Sequence, residues 1–434
     1  MEIELKTKDQ RPKIKDRKKI VLSTFGSLGD VHPKIALGLE LRKRGHDVVF
    51  NVMEAFREKF EMLGFEISPL RPNLDPEDRE LVRRLMDIKT GPELMFNEIL
   101  LPNLRPMYED VMTAVDGADL LISGEVVLPI KSVVEKTGIK WVSTSLAPIS
   151  FLSAADPSVY PSAEFLENFR FMPKFFHKFI LTMARKTFLN WFEPYREFRR
   201  ELGLDENHDP MFGDKYSKLL HLAMFSKVLA KPQPDWATST LQTGFCFYDG
   251  NEDLGNMTQD LLKFLDAGEP PIIFTLGSAA VMDARDFYEQ SIKAAKILNK
   301  RAVMLYGIFN QSPNGLDADR VGFDYAPYSQ LFPRACAVVH QGGVGTTSQV
   351  LRAGIPHLIM PYSHDQPDNA ARCKRLGVAR IVSRENYTAE NAAKELRKLL
   401  KDVSYNSNAT KAKLIVDSEH GTQTACDAIE QILK

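Results

Sequence analysis

The chain is poor in cysteine. Its 434 residues include four, Cys246, Cys336, Cys373 and Cys426, widely spaced and with no CxxC or Cys/His pairing. That excludes a zinc knot, a dithiol redox centre and a disulfide scaffold, so a reduced, cytoplasmic setting is the expectation. Excess charge of either sign is missing too: 56 Lys and Arg stand against 57 Asp and Glu, a net charge of -1. No global basic field exists to hold nucleic acid by counterion release. Long apolar runs are also absent. No stretch reaches the roughly eighteen residues of a membrane span, which leaves peripheral contact as the one membrane role open to it. Residues 1–18 are mostly charged and lack the apolar core of a secretory signal, and are read as a solvated tail. What remains, 44% hydrophobic and 26% charged residues, is the balance of an ordinary globular protein with room for two or three domains.

Pattern supplies the architecture. After Lys19 the run IVLST reads as a strand and FGSLGD as a glycine turn; Pro33 opens an amphipathic helix that Gly45 closes. DVVFNVM is a second strand, and ADLLIS and IKWVSTS continue the alternation, which predicts an open parallel sheet covered on both faces. Residues 151–204 break the rhythm with an aromatic and basic stretch, read as a helical insertion of two or so helices. From the linker 246–258 onward the alternation restarts at PPIIFTLGS and continues through RAVMLYG and ACAVVHQGG. The expected fold is α/β, two Rossmann-like domains (19–245 and 259–415) with parallel sheets facing across a cleft. Ligands then lie at the carboxyl ends of the strands, beside the loops after Thr24, Thr275 and Val339.

The richest stretch is VVHQGGVGTTSQVLRAGIPHLIMPYSHDQPDNAA, residues 338–371. His340 with Gly342, Gly343 and Gly345 forms a turn into a helix expected near Thr346, where backbone amides and a helix N-terminus favour a phosphate or diphosphate. Thr346 and Thr347 add hydroxyls, and His340 an imidazole N–H. The competing reading is a tight αβ corner capped by His340. Asp365 and Gln366 follow the next strand with the donors and acceptors needed to grip neighbouring sugar hydroxyls. A lone Asp there also suits the N-cap of the helix containing Asn369 and Ala370.

In content, order and spacing these motifs resemble the family 1 glycosyltransferases, nucleotide-sugar enzymes of the GT-B fold. FGSLGDVHP is similar to the acceptor-side loop of their bacterial and sterol-type branch, with bacterial rhamnosyltransferases and sterol glucosyltransferases nearest in character. The resemblance implies an inverting single displacement in which Asp30, beside Gly29, is the general base in the place of the plant histidine; His32 is the second candidate. Burial beside an apolar acceptor is expected to raise the Asp30 pKa. The plant branch's orienting aspartate would fall near Gly124 and is absent, with Glu125 adjacent. Helix dipole, amides and His340 are expected to hold the diphosphate with no metal and no cofactor, and Ser278 to touch the phosphates or cap a helix. Tyr325 and Ala326 stand where plants stack a tryptophan on the base, and Ser348 stands where plants place a ribose-binding glutamate.

UDP-glucose is the first donor expected and dTDP-rhamnose the alternative. The acceptor is expected to be a hydrophobic small molecule, a phenolic, terpenoid, sterol or lipid hydroxyl, received by Phe165, Phe169, Met172 and Phe176, with Phe171, Phe175 and Trp191 nearby. The C-terminal helix, 416–434, is expected to cross back onto the first domain. Two rival classes remain: a dehydrogenase, for which Gly26-x-x-Gly29 is a weak fingerprint, and a non-catalytic nucleotide-sugar-binding partner protein.

Overall fold

The computed structural model describes residues 17–75, 77–250 and 255–434. Most of the tail expected at residues 1–18, and residues 251–254 of the linker, lie outside the described residues. Two wholly parallel sheets organise the chain. The first has seven strands in the order β3-β2-β1-β4-β5-β6-β7, where β1 is Lys19–Ser23, β2 Asp47–Val52, β3 Glu66–Pro69, β4 Leu120–Ser123, β5 Lys140–Ser145, β6 Leu220–Ala223 and β7 Thr240–Gln242. The second has six, β10-β9-β8-β11-β12-β13, where β8 is Ile272–Thr275, β9 Ala302–Leu305, β10 Arg320–Phe323, β11 Ala337–His340, β12 His357–Ile359 and β13 Ala379–Ile381. In each sheet the order reverses beside the first strand of that half, at β1/β4 and at β8/β11. This is the switch point where the loops at the carboxyl ends part and leave room for a ligand. β1, β4, β8 and β11 carry apolar runs buried on both faces, as strands covered by helices must.

Helix α1, Leu28–Lys43, starts earlier than Pro33 would suggest. Ser27 is its N-cap: the Ser27 hydroxyl accepts from the Gly29 amide, and Asp30, third in the helix, accepts from the Ser27 amide. This reciprocal capping box fixes the start, and Pro33 is accommodated inside the second turn at the loss of one backbone donor. Gly45, at φ +95°, ends the helix in the left-handed region.

Four features tie the halves together. Helix α2, Arg79–Leu85, leaves the first half to lie on the second, where Val82 and Met86 join the apolar cluster around Phe274, Phe287 and Tyr362. The insertion opens with residues 156–159 laid along α5 (Gln366–Arg375), which follows α4 (Val344–Ala353) in the second half. Finally α6, Gly421–Leu433, packs on α1: Arg44 binds Asp427 and Glu430, and the Lys140 ammonium donates to the Ile432 carbonyl. A shared apolar cluster joins Phe151, Phe225 and Trp236 to Leu351, Ile359 and Ala370. Burial of each such side chain contributes on the order of 2 kcal/mol, so the cleft is bounded by packed surface. Among the described residues no helix is long and apolar enough to cross a membrane.

The insertion 151–204 contains α3, Lys174–Phe188, and a second helix, Glu193–Glu201, joined by short 3-10 turns.

Candidate functional site

Helices α1 and α4 follow the first and fourth strands of their sheets' chain order, and their N-termini meet nose to nose. Gly29 and Gly345 are each the second residue of their helix, and a Cβ built on Gly345 would come within 4.0 Å of the Gly29 Cα and of no other atom beyond its own helix turn. The first-turn amides of Gly345 and Thr346 have no hydrogen-bond partner among the described residues, as the start of a helix requires. Two positive helix ends therefore converge at one point of the cleft, and the free first-turn amides beside that point suit a diphosphate.

Carboxylates flank this point. Asp30 receives both the Ser27 amide (2.8 Å) and the Ser27 hydroxyl (3.2 Å) on Oδ2, while Oδ1 accepts no hydrogen bond among the described residues. Gly26 makes this possible: at φ +126° it occupies a conformation favouring glycine, and a Cβ there would sit 2.4 Å from Asp30 Oδ2. Burial pushes the Asp30 carboxyl above its usual range, against the Ser27 hydrogen bonds and the Lys34 ammonium, with Glu125 adding to the rise. Asp365 lies at the N-cap position of α5, yet its side chain makes no capping bond there. Its Oδ2 instead accepts from the Val344 amide at the start of α4 (3.0 Å) and from the Asn369 amide group (2.7 Å). Burial raises Asp365 to about 6, aided by the nearby charge of Asp30.

Beneath Asp30 lies a residue the sequence reading passed over. Lys34 is fully buried, one turn along α1, and its ammonium donates to Thr144 Oγ1, which donates in turn to the Ser123 carbonyl (2.8 Å). Burial lowers Lys34 to about 8, opposed by Cys246, Asp30 and Glu125. The signal was legible: a lysine on the stripe Val31, Lys34, Ile35, Gly38, Leu41 interrupts an otherwise apolar helix face. Glu125 is held by the hydroxyls of Ser145 and Ser150 (2.5 Å each) and by Lys215 (3.4 Å). Burial opposes its ionisation, but these partners hold its carboxyl below the usual range. The His32 ring packs edge-on to Tyr248 at 5.2 Å.

His340 is placed differently from the expectation. It ends β11 fully buried, with Nδ1 accepting from the Gly342 amide (3.0 Å) and Nε2 facing His357 Nδ1 (2.9 Å). The Gly342 bond fixes the proton on Nε2, so the ring has no N–H left for a phosphate. Burial drives His340 well below its usual value and His357 to about 3, and both stay neutral. The alternative reading of His340, a residue that fastens the corner, is the one realised. Side chains alternate along a strand end, so the next residue, Gln341, takes the cleft side. Its Nε2 reaches Thr346 Oγ1 (3.4 Å) and lies 2.2 Å from where a Gly277 Cβ would stand. Gln341 Oε1 is buried and without a partner.

Thr347 also faces inward, its hydroxyl donating to the Gly342 carbonyl, so Thr346 alone of the two threonines borders Gln341. Gly342, at φ +93°, has no room for a Cβ against Ile359. Gly343 is the α4 N-cap. Gln366 Oε1 is engaged by the Tyr362 amide (2.9 Å), which leaves Gln366 Nε2 and Asp365 Oδ1 as the polar atoms of that pair without a described partner. Ser278 is exposed on the turn after β8 and caps no helix; the following 3-10 turn has Ala279 at its N-cap. Tyr325 is partly exposed, whereas Ala326 is buried in the core and can offer only backbone. Ser348 bonds back to the Gly345 carbonyl.

The proposed acceptor residues do not enclose a pocket. Phe165 and Phe169 are exposed, Met172 and Phe176 half-buried, and Phe176 packs beside Phe169 and His177. Phe171, Phe175 and Phe179 are neither core nor cavity lining, because the face of α3 that packs inward is the one bearing His177, whereas Phe188, Trp191 and Phe192 at the end of the run join the core of the first half.

Residues 315–423 match the family described as erythromycin biosynthesis protein CIII-like, C-terminal domain. The chain is similar to O-mycaminosyltylonolide 6-deoxyallosyltransferase of Streptomyces fradiae, 32% identical with 95% of this chain and 97% of that protein covered. Among solved structures it is similar to the glycotransferase of kitacinnamycin (TM-score 0.71, 19% identity, 96% of this chain and 100% of the other). It is also similar to the Streptomyces sp. SF2575 glycosyltransferase SsfS6 complexed with thymidine diphosphate (TM-score 0.62, 18% identity, 96% and 100%).

Proposed function

The chain belongs to the family 1 glycosyltransferases of the GT-B fold, and on that premise we propose that it transfers a sugar from a nucleoside diphosphate to a hydroxyl of an apolar small molecule, with inversion and with Asp30 as base. The observation that carries this reading is the meeting of two helix N-termini at Gly29 and Gly345, with the Asp30 carboxylate one residue away. The diphosphate lies beside that meeting point, where amide dipoles and the Gln341 carboxamide meet its charge as the anomeric bond breaks. Asp30 Oδ2 is anchored by Ser27, and Oδ1 takes the acceptor proton as the acceptor oxygen attacks the anomeric carbon. A carboxylate raised by burial is the better base near neutrality.

UDP-glucose and a thymidine diphosphate 6-deoxyhexose are the two donors carried. The second is favoured by the 6-deoxyallosyl group named for the Streptomyces fradiae relative and the thymidine diphosphate held by SsfS6. It is also favoured by the partial engagement of Asp365 and Gln366, which leaves few atoms for sugar hydroxyls.

Thermal shift and product formation with a panel of UDP- and dTDP-sugars, a phenolic acceptor and EDTA throughout, tests the reading. Stabilisation by one donor with glycoside formed is expected. With an alkyl acceptor, Asp30→Asn is expected to lose about 10²–10⁴-fold in turnover. Because an Asn carbonyl still accepts from Ser27, folding stability should fall by less than about 1 kcal/mol. A variant that keeps most of its turnover removes Asp30 from the chemistry.

A further inference from the structure

Exposed large apolar side chains crowd into one short part of this chain. Of the sixteen among the described residues, seven fall between Phe165 and Leu189, including Phe165 (61% exposed), Phe171 (81%), Phe175 (74%) and Phe179 (62%). On α3, Phe175, Phe179 and Met183 recur every fourth residue and share a face, while His177 is buried on the opposite side. An apolar helix face turned to water is a binding surface, because leaving it wet has a large free-energy cost.

Charge identifies what covers it. From Phe165 to Phe192 the sequence holds five cations, Arg170, Lys174, Lys178, Arg185 and Lys186, and one acid, Glu167, which is paired with Arg375 (2.6 Å). Three have carboxylate partners: Arg170 pairs with Asp156, Lys174 with Asp235 (3.5 Å) and Arg185 with Asp209 (2.8 Å). Lys178 and Lys186 have no ion pair among the described residues, and both project on the side of α3 that carries Phe175 and Phe179. Phenylalanines flanked by uncompensated lysines match a surface that is anionic outside and hydrocarbon a few ångströms deeper. A second copy of the chain would bring a second patch of the same uncompensated positive charge against this one, which disfavours self-association through it.

We propose that the outer face of α3, with the preceding Phe165–Phe171 segment, docks this protein on anionic lipid bilayers. The aromatic side chains enter the headgroup boundary and the lysine stems extend so that their ammoniums remain among the phosphates. The proposal makes no use of sugar transfer and stands or falls apart from it.

Sedimentation of the full chain with vesicles, either phosphatidylcholine alone or phosphatidylcholine mixed with phosphatidylglycerol, tests it. Binding is expected only to the mixed vesicles, weakening as salt rises. At roughly five-fold per lysine, Lys178→Glu combined with Lys186→Glu should reduce it by ~25-fold or more. Phe175→Ser with Phe179→Ser should abolish it, with thermal stability unchanged because both side chains are already exposed. Absence of the wild type from both pellets, or binding that neither double variant alters, overturns the proposal. So does a concentration-dependent dimer, without vesicle binding, that the serine variant dissociates.

Discussion

Gly29 and Gly345, each second in its helix, are the point where the two halves of the protein approach without a side chain between them: 4.0 Å separates the Gly29 Cα from the position of a Gly345 Cβ. Gly345 does not need glycine for its own backbone, since its φ is not positive. Gly345→Ala should thus gain about 0.5–1 kcal/mol of stability from the helix while narrowing the gap. Gly345→Leu should fill it. Isothermal titration with UDP and dTDP beside urea denaturation reads both effects, and nucleotide affinity should fall in the order Gly, Ala, Leu while the protein stays folded.

His340 and Gln341 are neighbours with opposite expected phenotypes. His340→Ala removes a buried ring that bonds Gly342 and His357, and should cost about 2–3 kcal/mol of stability. Gln341→Ala deletes a buried carbonyl oxygen with no partner, so stability should hardly change, while donor affinity falls about ten-fold with the loss of a diphosphate contact. If His340→Ala were as stable as the wild type and impaired only in donor binding, the assignment would have to be exchanged.

Lys34 carries a pH signature. Its folded pKa, about 8, is below the ordinary 10.5, so the unfolded chain holds the proton more tightly. Stability should accordingly increase as pH rises from 8 to 10.5, because the cost of burying the charge is relieved. Lys34→Met, close in volume, should flatten that increase. It should also move the acid limb of the turnover profile to higher pH, since the cation that opposes the rise in Asp30 is gone. Chemical denaturation across the range, with turnover measured on the same samples, checks both limbs.

Asp365, raised to about 6, works in the other direction. The folded state holds its proton more tightly, so this group's contribution to stability is complete below the ordinary carboxylate range and is lost as pH rises through 6. A diphosphate arriving beside Asp30 and Asp365 meets less repulsion once Asp365 is protonated. Nucleotide binding should tighten as pH falls through 6, and Asp365→Asn should remove that dependence. Calorimetric titrations of a dTDP-sugar, whose esterified diphosphate does not titrate near 6, in buffers on either side of that value decide it.

Much of the fold was readable because strand and helix periods alternate cleanly: the β1 and β2 runs and Gly45 as a stop stand where their patterns put them. The start of α1 was less legible. Pro33 is the strongest local signal, but the Ser27 and Asp30 capping box outweighs it and begins the helix five residues sooner. At the site, motif content identified the region and not the direction of each side chain. His340, Thr347 and Gln366 bond within their own corner, and only the strand pleat and the tight Gly342 turn decide that Gln341 is the one to emerge. The Phe-rich run misled for a similar reason, since composition is the same whether an apolar face turns inward or outward.

The last helix of the chain is built into the first half. Anyone recombining this protein with a relative to exchange donor and acceptor preferences would therefore need two junctions, one near Asp249 and one ahead of Gly421, with α6 taken from the same parent as α1. A hybrid with a single crossover would set a foreign helix against Arg44, His46 and Lys140. Its failure would say nothing about whether the two specificities can be combined.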